Sequence, residues 1–302
     1  MQPPKKIELG CIRFRFSRVG TAEGDVIRTD FPPNLKEEIP VKKLVLALAA
    51  SSAALVAASA ALAAPVIGLT GDKTLVMFDS EDGKVTKSMD VTGVDRLVGI
   101  DLRPANNTLI GVTADNTIVT IDPASGAATE LSKMDKPLEI GDAPVIVDFN
   151  PMADKLRYMT GTTNHRVDVD TGAVTVDGSL AYEEGDMHKG EAPNIVAAAY
   201  INSFGKPEKT AMYDVDATIG ALIRQTKPND GTLAAVGKFG LEGAAANYAF
   251  DIQTTADGAN TAWLVNGTKL YKVDLEKGAA TEAGEISGAD GEIRDIAVMP
   301  AM

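Results

Sequence analysis

Residues 98–134 read VGIDLRPANN (98–107), TLIGVTADN (108–116), TIVTIDPASG (117–126) and AATELSKM (127–134). Apolar and polar side chains alternate within these four short runs, and Asn, Asp, Pro and Gly fill the gaps, which is the period-two signature of strands joined by tight turns. The same order recurs downstream. VIVDFNPMAD (145–154), KLRYMTGTTN (155–164), HRVDVDTG (165–172) and AVTVDGSL (173–180) form one unit, and YAFDIQTTADGAN (248–260), TAWLVNGT (261–268), KLYKVDLEKG (269–278) and AATEAGEI (279–286) another. Between them, 196–240 repeats the pattern with a longer first turn.

The turn between the third and fourth runs sets the register, because it ends in glycine each time: Gly83, Gly126, Gly172, Gly231 and Gly278, spaced by 43, 46, 59 and 47 residues. Glycine supplies the φ > 0 position that short hairpin loops need, and the preceding Asp caps the turn. Four strands in a period of about 40–45 residues match the blade of a β-propeller. Five units result, and no segment after Pro65 sustains helical spacing. The first unit, from Val66, lacks a first strand, while IRDIAVMP (293–300) at the other end is a first strand without a unit. The expected fold is all-β, a propeller of about five four-stranded blades closed by the C-terminal strand, which would remove the exposed edge of an open array.

Upstream, KKLVLALAASSAALVAASAALAAP (42–65) carries the charged start, apolar run and small-residue ending of a secretory signal, with the cut expected between Ala63 and Ala64. The run Leu44–Ala64 is also long enough to span a bilayer if it stays uncleaved, the single route to membrane contact expected here. A signal beginning 41 residues in suggests that residues 1–40 are a non-native, disordered extension and that Val41 marks the start. The expected organisation is therefore 1–40 extension, 41–63 signal, 64–302 propeller, in the periplasm or secreted. The single cysteine, Cys11, precedes the cut, so the mature chain has no thiol chemistry. Nine of the 29 Lys/Arg and six of the 42 Asp/Glu precede residue 64, leaving residues 64–302 with a net charge of −16. So negative a surface repels phosphate backbones and excludes nucleic acid as a partner.

The phrases VGIDLRP, TIDPASGAAT, DFNPMADKLR, RVDVDTGAV, AYINS, PNDGTL and KLYKVDLEKGAAT together resemble the bacterial domain-of-unknown-function family 4394, over about Gly68 to Val298. The resemblance implies an exported, propeller-like domain and transfers no catalytic residue.

Candidate chemistry sits on the first strands. Asp101, Asp148, Asp251 and Asp295 occupy equivalent places, with Tyr200 at the corresponding position of the fourth unit, and Asn150 and Asn202 lie two residues further on. Oxygen ligands converging without His or Cys would suit Ca²⁺. The alternative is that each Asp accepts hydrogen bonds from amides of the adjacent blade and simply holds the repeat in register. His165, in an expected turn beside Arg166, offers an anion site, while His188 lies in the charged loop EEGDMHKGE. With two histidines and no GxSxG elbow, a hydrolytic triad has little to be built from. The pairs Asp168/Asp170 and Asp214/Asp216 read as hairpin ends, and Trp263 and Tyr271 as inter-blade core. The expected role is a binding or scaffolding module for an unidentified protein or small molecule. A metal-dependent hydrolase with an acidic channel and a structural surface protein are the alternatives.

Overall fold

The computed structural model describes residues 64–141, 143–242 and 247–300. The expected extension (1–40) and signal (41–63), with Ala63, lie outside them. Ala64 is within the first blade: its side chain is buried and its N–H donates to Ser80 Oγ at 3.0 Å.

In chain order the strands are β1 (Pro65–Thr70), β2 (Thr74–Asp79), β3 (Val85–Asp90), β4 (Leu97–Arg103), β5 (Thr108–Thr113), β6 (Thr117–Ile121), β7 (Ala128–Lys133), β8 (Val145–Asn150), β9 (Lys155–Thr160), β10 (Thr163–Val167), β11 (Val174–Val176), β12 (Ala181–Tyr182), β13 (Ile195–Tyr200), β14 (Met212–Asp216), β15 (Ala221–Lys227), β16 (Thr232–Lys238), β17 (Ala249–Thr254), β18 (Asn260–Asn266), β19 (Lys269–Val273), β20 (Ala280–Glu285) and β21 (Ile293–Val298). The one helical piece among the described residues is the 3-10 turn Pro228–Asp230.

The strands pair antiparallel as β21-β1-β2-β3, β4-β5-β6-β7, β8-β9-β10-β11, β13-β14-β15-β16 and β17-β18-β19-β20, with β12 adding a short parallel edge to β16. The leading strand of each sheet touches the next in a closed cycle, β21, β4, β8, β13, β17 and back to β21. Five four-stranded blades thus form a ring, a five-bladed propeller. The C-terminal strand completes the first blade as the sequence implies, with Val66 opposite Val298 and Leu69 opposite Asp295.

Because each blade is sandwiched between two others, successive side chains on its inner strands enter different cores. On β5, Leu109 packs toward the first blade with Leu69 and Leu75, while Ile110 packs toward the third with Phe149 and Tyr158. On β18, Trp263 and Leu264 divide in the same way. Five such apolar clusters, one per junction, take the place of a single central core.

The hairpin glycines serve the ring as well as the turn. At Gly172 φ is +74°, and a Cβ there would lie 1.9 Å from the Lys133 carbonyl oxygen of the neighbouring blade. At Gly278 φ is +77°, and a Cβ would lie 2.2 Å from the Gly237 carbonyl oxygen. Only glycine meets both demands, a left-handed backbone and bare contact between blades.

Candidate functional site

The leading strands surround the axis and pair with a partner on one side only, so half of their backbone amides have no ladder acceptor and must find another. The four aspartates supply it. Asp295 Oδ2 accepts from Ile100 N–H (2.8 Å), Asp101 Oδ2 from Phe149 N–H (2.7 Å), Asp148 Oδ1 from Tyr200 N–H (3.0 Å) and Asp251 Oδ2 from Val298 N–H (2.6 Å). Each bond crosses to the next blade around the ring. Three of the carboxylates also accept from the following amide of their own strand: Leu102 (2.7 Å), Ile252 (2.6 Å) and Ile296 (3.0 Å).

Bracing is therefore one function of these residues, but it does not exhaust their geometry. Oxygens of Asp101, Asp148 and Asp251 lie within 4.8 Å of one another, all three side chains are buried, and together they line a cavity of about 20 Å³ rimmed by Asn107, Ser203, Thr254 and Pro300. Among the described residues no Lys, Arg or His bonds any of the three. Burial, followed by repulsion from Asp251, raises the Asp101 carboxyl well above its ordinary range; burial, followed by repulsion from Asp101 and Asp251, does the same to Asp148. Burial lifts Asp251 to about 6. Asp295 braces its junction outside this trio and is only partly buried.

The fourth blade departs from the pattern. Tyr200 turns away from the axis, and its hydroxyl accepts from Arg157 Nε at 3.3 Å. At the junction that an aspartate would have braced, neutral groups stand in: Thr254 Oγ1 accepts from Ser203 N–H (2.8 Å) and Asn260 Oδ1 from Asn202 N–H (2.9 Å). Neither asparagine picked out by the sequence joins the aspartates. Asn150 Oδ1 caps its own turn through the Met152 and Ala153 amides, and Asn202 donates to the Lys209 carbonyl and accepts from Asn260.

The expected anion site is already filled from within. His165 and Arg166 belong to strand β10 rather than to a turn. Arg166 grips Asp177 through Nε (2.6 Å) and Nη2 (3.0 Å), while His165 is buried, with Nδ1 unbonded and its pKa lowered by desolvation, which keeps it neutral. His188 Nδ1 donates to Glu191 Oε2 (2.9 Å), and its ring packs near the Tyr182 ring.

A group that sequence reasoning passed over is Arg157. It is 1% exposed and sits between the third and fourth blades, donating to Asp177 Oδ2 (2.7 Å), Asn164 Oδ1 (2.8 Å) and Asn229 Oδ1 (3.2 Å). Near it, Asp214 corrects another expectation: it is mid-strand on β14, fully buried and without a hydrogen bond to either oxygen, and burial pushes its carboxyl up to about 7. Asp168 and Asp216 do cap hairpin ends, and Trp263 and Tyr271 are buried core.

A family model described as a domain of unknown function (DUF4394) matches residues 74–297. No curated protein matches. Among solved structures, the chain is similar to a structural genomics protein of unknown function from Bacteroides thetaiotaomicron VPI-5482, with 17% identity and a TM-score of 0.47 over 76% of this chain and 63% of that one. It is also similar to an auxiliary nutrient binding protein from Bacteroides ovatus ATCC 8483, with 12% identity and a TM-score of 0.42 over 72% of this chain and 57% of that one. The chain thus spans less than two thirds of either protein, and likeness of this degree carries neither ligand nor site across.

Proposed function

We propose that this chain, which belongs to the DUF4394 family, is an exported binding module that engages a protein or small-molecule partner through the β13–β14 loop of its fourth blade. One observation carries this reading: the departures from five-fold repetition fall in one blade, the fourth. The fourth blade has Tyr200 in place of Asp, the extra strand β12, and 11 residues between β13 and β14 where β4–β5, β8–β9 and β17–β18 use four or five. Features repeated around a ring serve the ring, whereas a long loop on a rigid scaffold is free to serve recognition. The loop exposes Phe204, Lys206 and Lys209, and Met152 is exposed on the first turn of the third blade. Export rests on the signal-like run at 42–65.

Replacing residues 204–208 with an Asn-Gly turn, which keeps Ser203 and Lys209, tests the loop. The immobilised protein is offered glycan and peptide arrays and envelope extract. Ligands retained by the wild type and lost by the loop variant, at unchanged melting temperature, are expected; equal retention by both, or none by either, refutes the reading.

A further inference from the structure

We infer that the groove between the fifth and first blades is a binding site for the carboxylate group of a small ligand, held by the Trp263 indole N–H and the Lys272 ammonium. The argument begins with a donor that has nothing to do. Trp263 is 3% exposed, and its Nε1 is a buried atom without a hydrogen-bond partner among the described residues. A buried indole N–H ordinarily finds an acceptor, and leaving it bare costs the desolvation of the group. The ring lines a groove of about 220 Å³ together with Lys272, Thr281 and Ala283 of its own blade and Ser80 and Glu81 of the first.

The third blade shows what these positions do when an acceptor is built in. Paired residues run outward across it as Asp148, Arg157, Arg166 and Thr175, and across the fifth blade as Asp251, Trp263, Lys272 and Thr281. In the third blade the two middle residues share one carboxylate: Asp177 Oδ2 accepts from Arg157 Nη1 (2.7 Å) and from Arg166 Nε (2.6 Å). Asp177 lies two residues beyond Thr175, and two residues beyond Thr281 stands Ala283. The fifth blade thus keeps a pair of donors, lacks the carboxylate between them, and has an open groove at the residue that would carry it.

The rest of the groove agrees. Lys272 makes no ion pair among the described residues. Its Nζ lies 4.9 Å from the Trp263 ring centroid, and its flexible stem lets the ammonium lift to admit a carboxylate. Glu282, on the same wall, is taken by Lys269 Nζ (2.8 Å), and Glu81 is exposed and bonded to neither donor. The volume falls below the ~300–1,000 Å³ of drug-sized sites, which suits a small ligand, and a carboxylate there would make one charge-assisted bond and one to the indole. This inference is independent of the β13–β14 loop, and either can fail alone.

Trp263 is the only tryptophan in the chain, so its emission reports on this groove. The full chain is titrated with galacturonate and with N-acetylalanine, and with their uncharged counterparts galactose and N-acetylalanine amide. A saturable shift in emission with at least one carboxylate, and none with its neutral counterpart, is expected; which of the two responds separates an acidic sugar from a peptide terminus. Lys272→Met is expected to weaken binding at least tenfold, and Ala283→Asp, which supplies the internal carboxylate of the third blade, to abolish it, with melting temperatures at or above the wild-type value for Ala283→Asp. Lys227→Met, on the fourth blade, leaves the affinity within twofold. The site is overturned by no saturable change with either carboxylate at 50 mM, by an equal change with the neutral counterpart or with sodium chloride at matched ionic strength, or by binding that Lys272→Met or Ala283→Asp leaves intact.

Discussion

Two glycines of the third blade separate the cost of a left-handed backbone from the cost of pushing blades apart. Gly161 and Gly172 both have positive φ, +55° and +74°, but a Cβ on Gly161 would meet nothing within 4 Å, whereas one on Gly172 would lie 1.9 Å from the Lys133 carbonyl oxygen. Gly161→Ala should then lose only the conformational term, about 1–2 kcal/mol for a non-glycine residue held left-handed. Gly172→Ala pays that and a steric term. The obstacle is backbone, on a segment tied down by the Asp135 N–H to Gly172 carbonyl bond (2.9 Å), so it cannot rotate aside like a side chain. Overpacking of this kind costs a further 1–3 kcal/mol or so, giving about 2–5 kcal/mol in all. In a domain of this size 1 kcal/mol shifts the melting temperature by about 2–4 °C. The expected losses are therefore about 2–8 °C for Gly161→Ala and about 4–20 °C for Gly172→Ala, with Gly172→Ala the larger by at least about 2 °C, measured by circular dichroism at neutral pH. Equal shifts would refute the claim that this glycine is an inter-blade contact as well as a turn residue.

Asp214, unbonded and lifted to about 7 from an unfolded value near 3.8, holds its proton more tightly folded than unfolded; its contribution is complete below pH 4 and is lost as pH rises through 7, about 4 kcal/mol in all. Melting temperature should accordingly fall between pH 5 and 8 and fall less in Asp214→Asn, and identical pH profiles would exclude Asp214 as a source. Arg157→Met leaves Asp177 and Asn164 short of a buried donor and should cost about 3–5 kcal/mol, whereas Lys269→Met at the solvent-screened Glu282 pair should leave stability close to unchanged; comparable urea midpoints for the two variants would contradict that placement. N-terminal sequencing of the protein recovered from its cells should begin at Ala64, and a chain beginning upstream would remove the cleavage assignment.

The parts of this molecule that the sequence made legible are those determined within one unit. Turn glycines, the four-strand order and the orphaned first strand at 293–300 are local patterns, and each reappears in the ring. The aspartates were legible as a set because they recur, and their ambiguity between bracing and ligation was real, since the same carboxylates that brace the junctions also converge on a cavity. The residues missed or misplaced were those whose partners lie in another blade. In KLRYMT, Arg157 alternates with Leu156 and Tyr158 as though facing water, but in a propeller the second strand of a blade is covered on both faces, so alternation divides one junction from the next rather than inside from outside. Arg157 consequently faces Tyr200 and Asn229, 43 and 72 residues away. His165 was misplaced for the same reason, and Asp214 looks like a hairpin end only while the third blade is not packed against it.

That division also sorts structure from function without any ligand in view. A residue that recurs at equivalent positions is explained by what every junction needs, and the four inter-blade amide bonds satisfy that need. What recurrence leaves over is small and specific: three aspartates that converge on one cavity, and a fourth blade that braces its junction with Thr254 and Asn260 and carries an 11-residue loop beside them. The cavity and the loop meet at one place, because Ser203, whose amide Thr254 receives, lies at the start of that loop and on the rim of the acidic cavity. A ligand held by the loop would therefore sit within reach of the channel mouth.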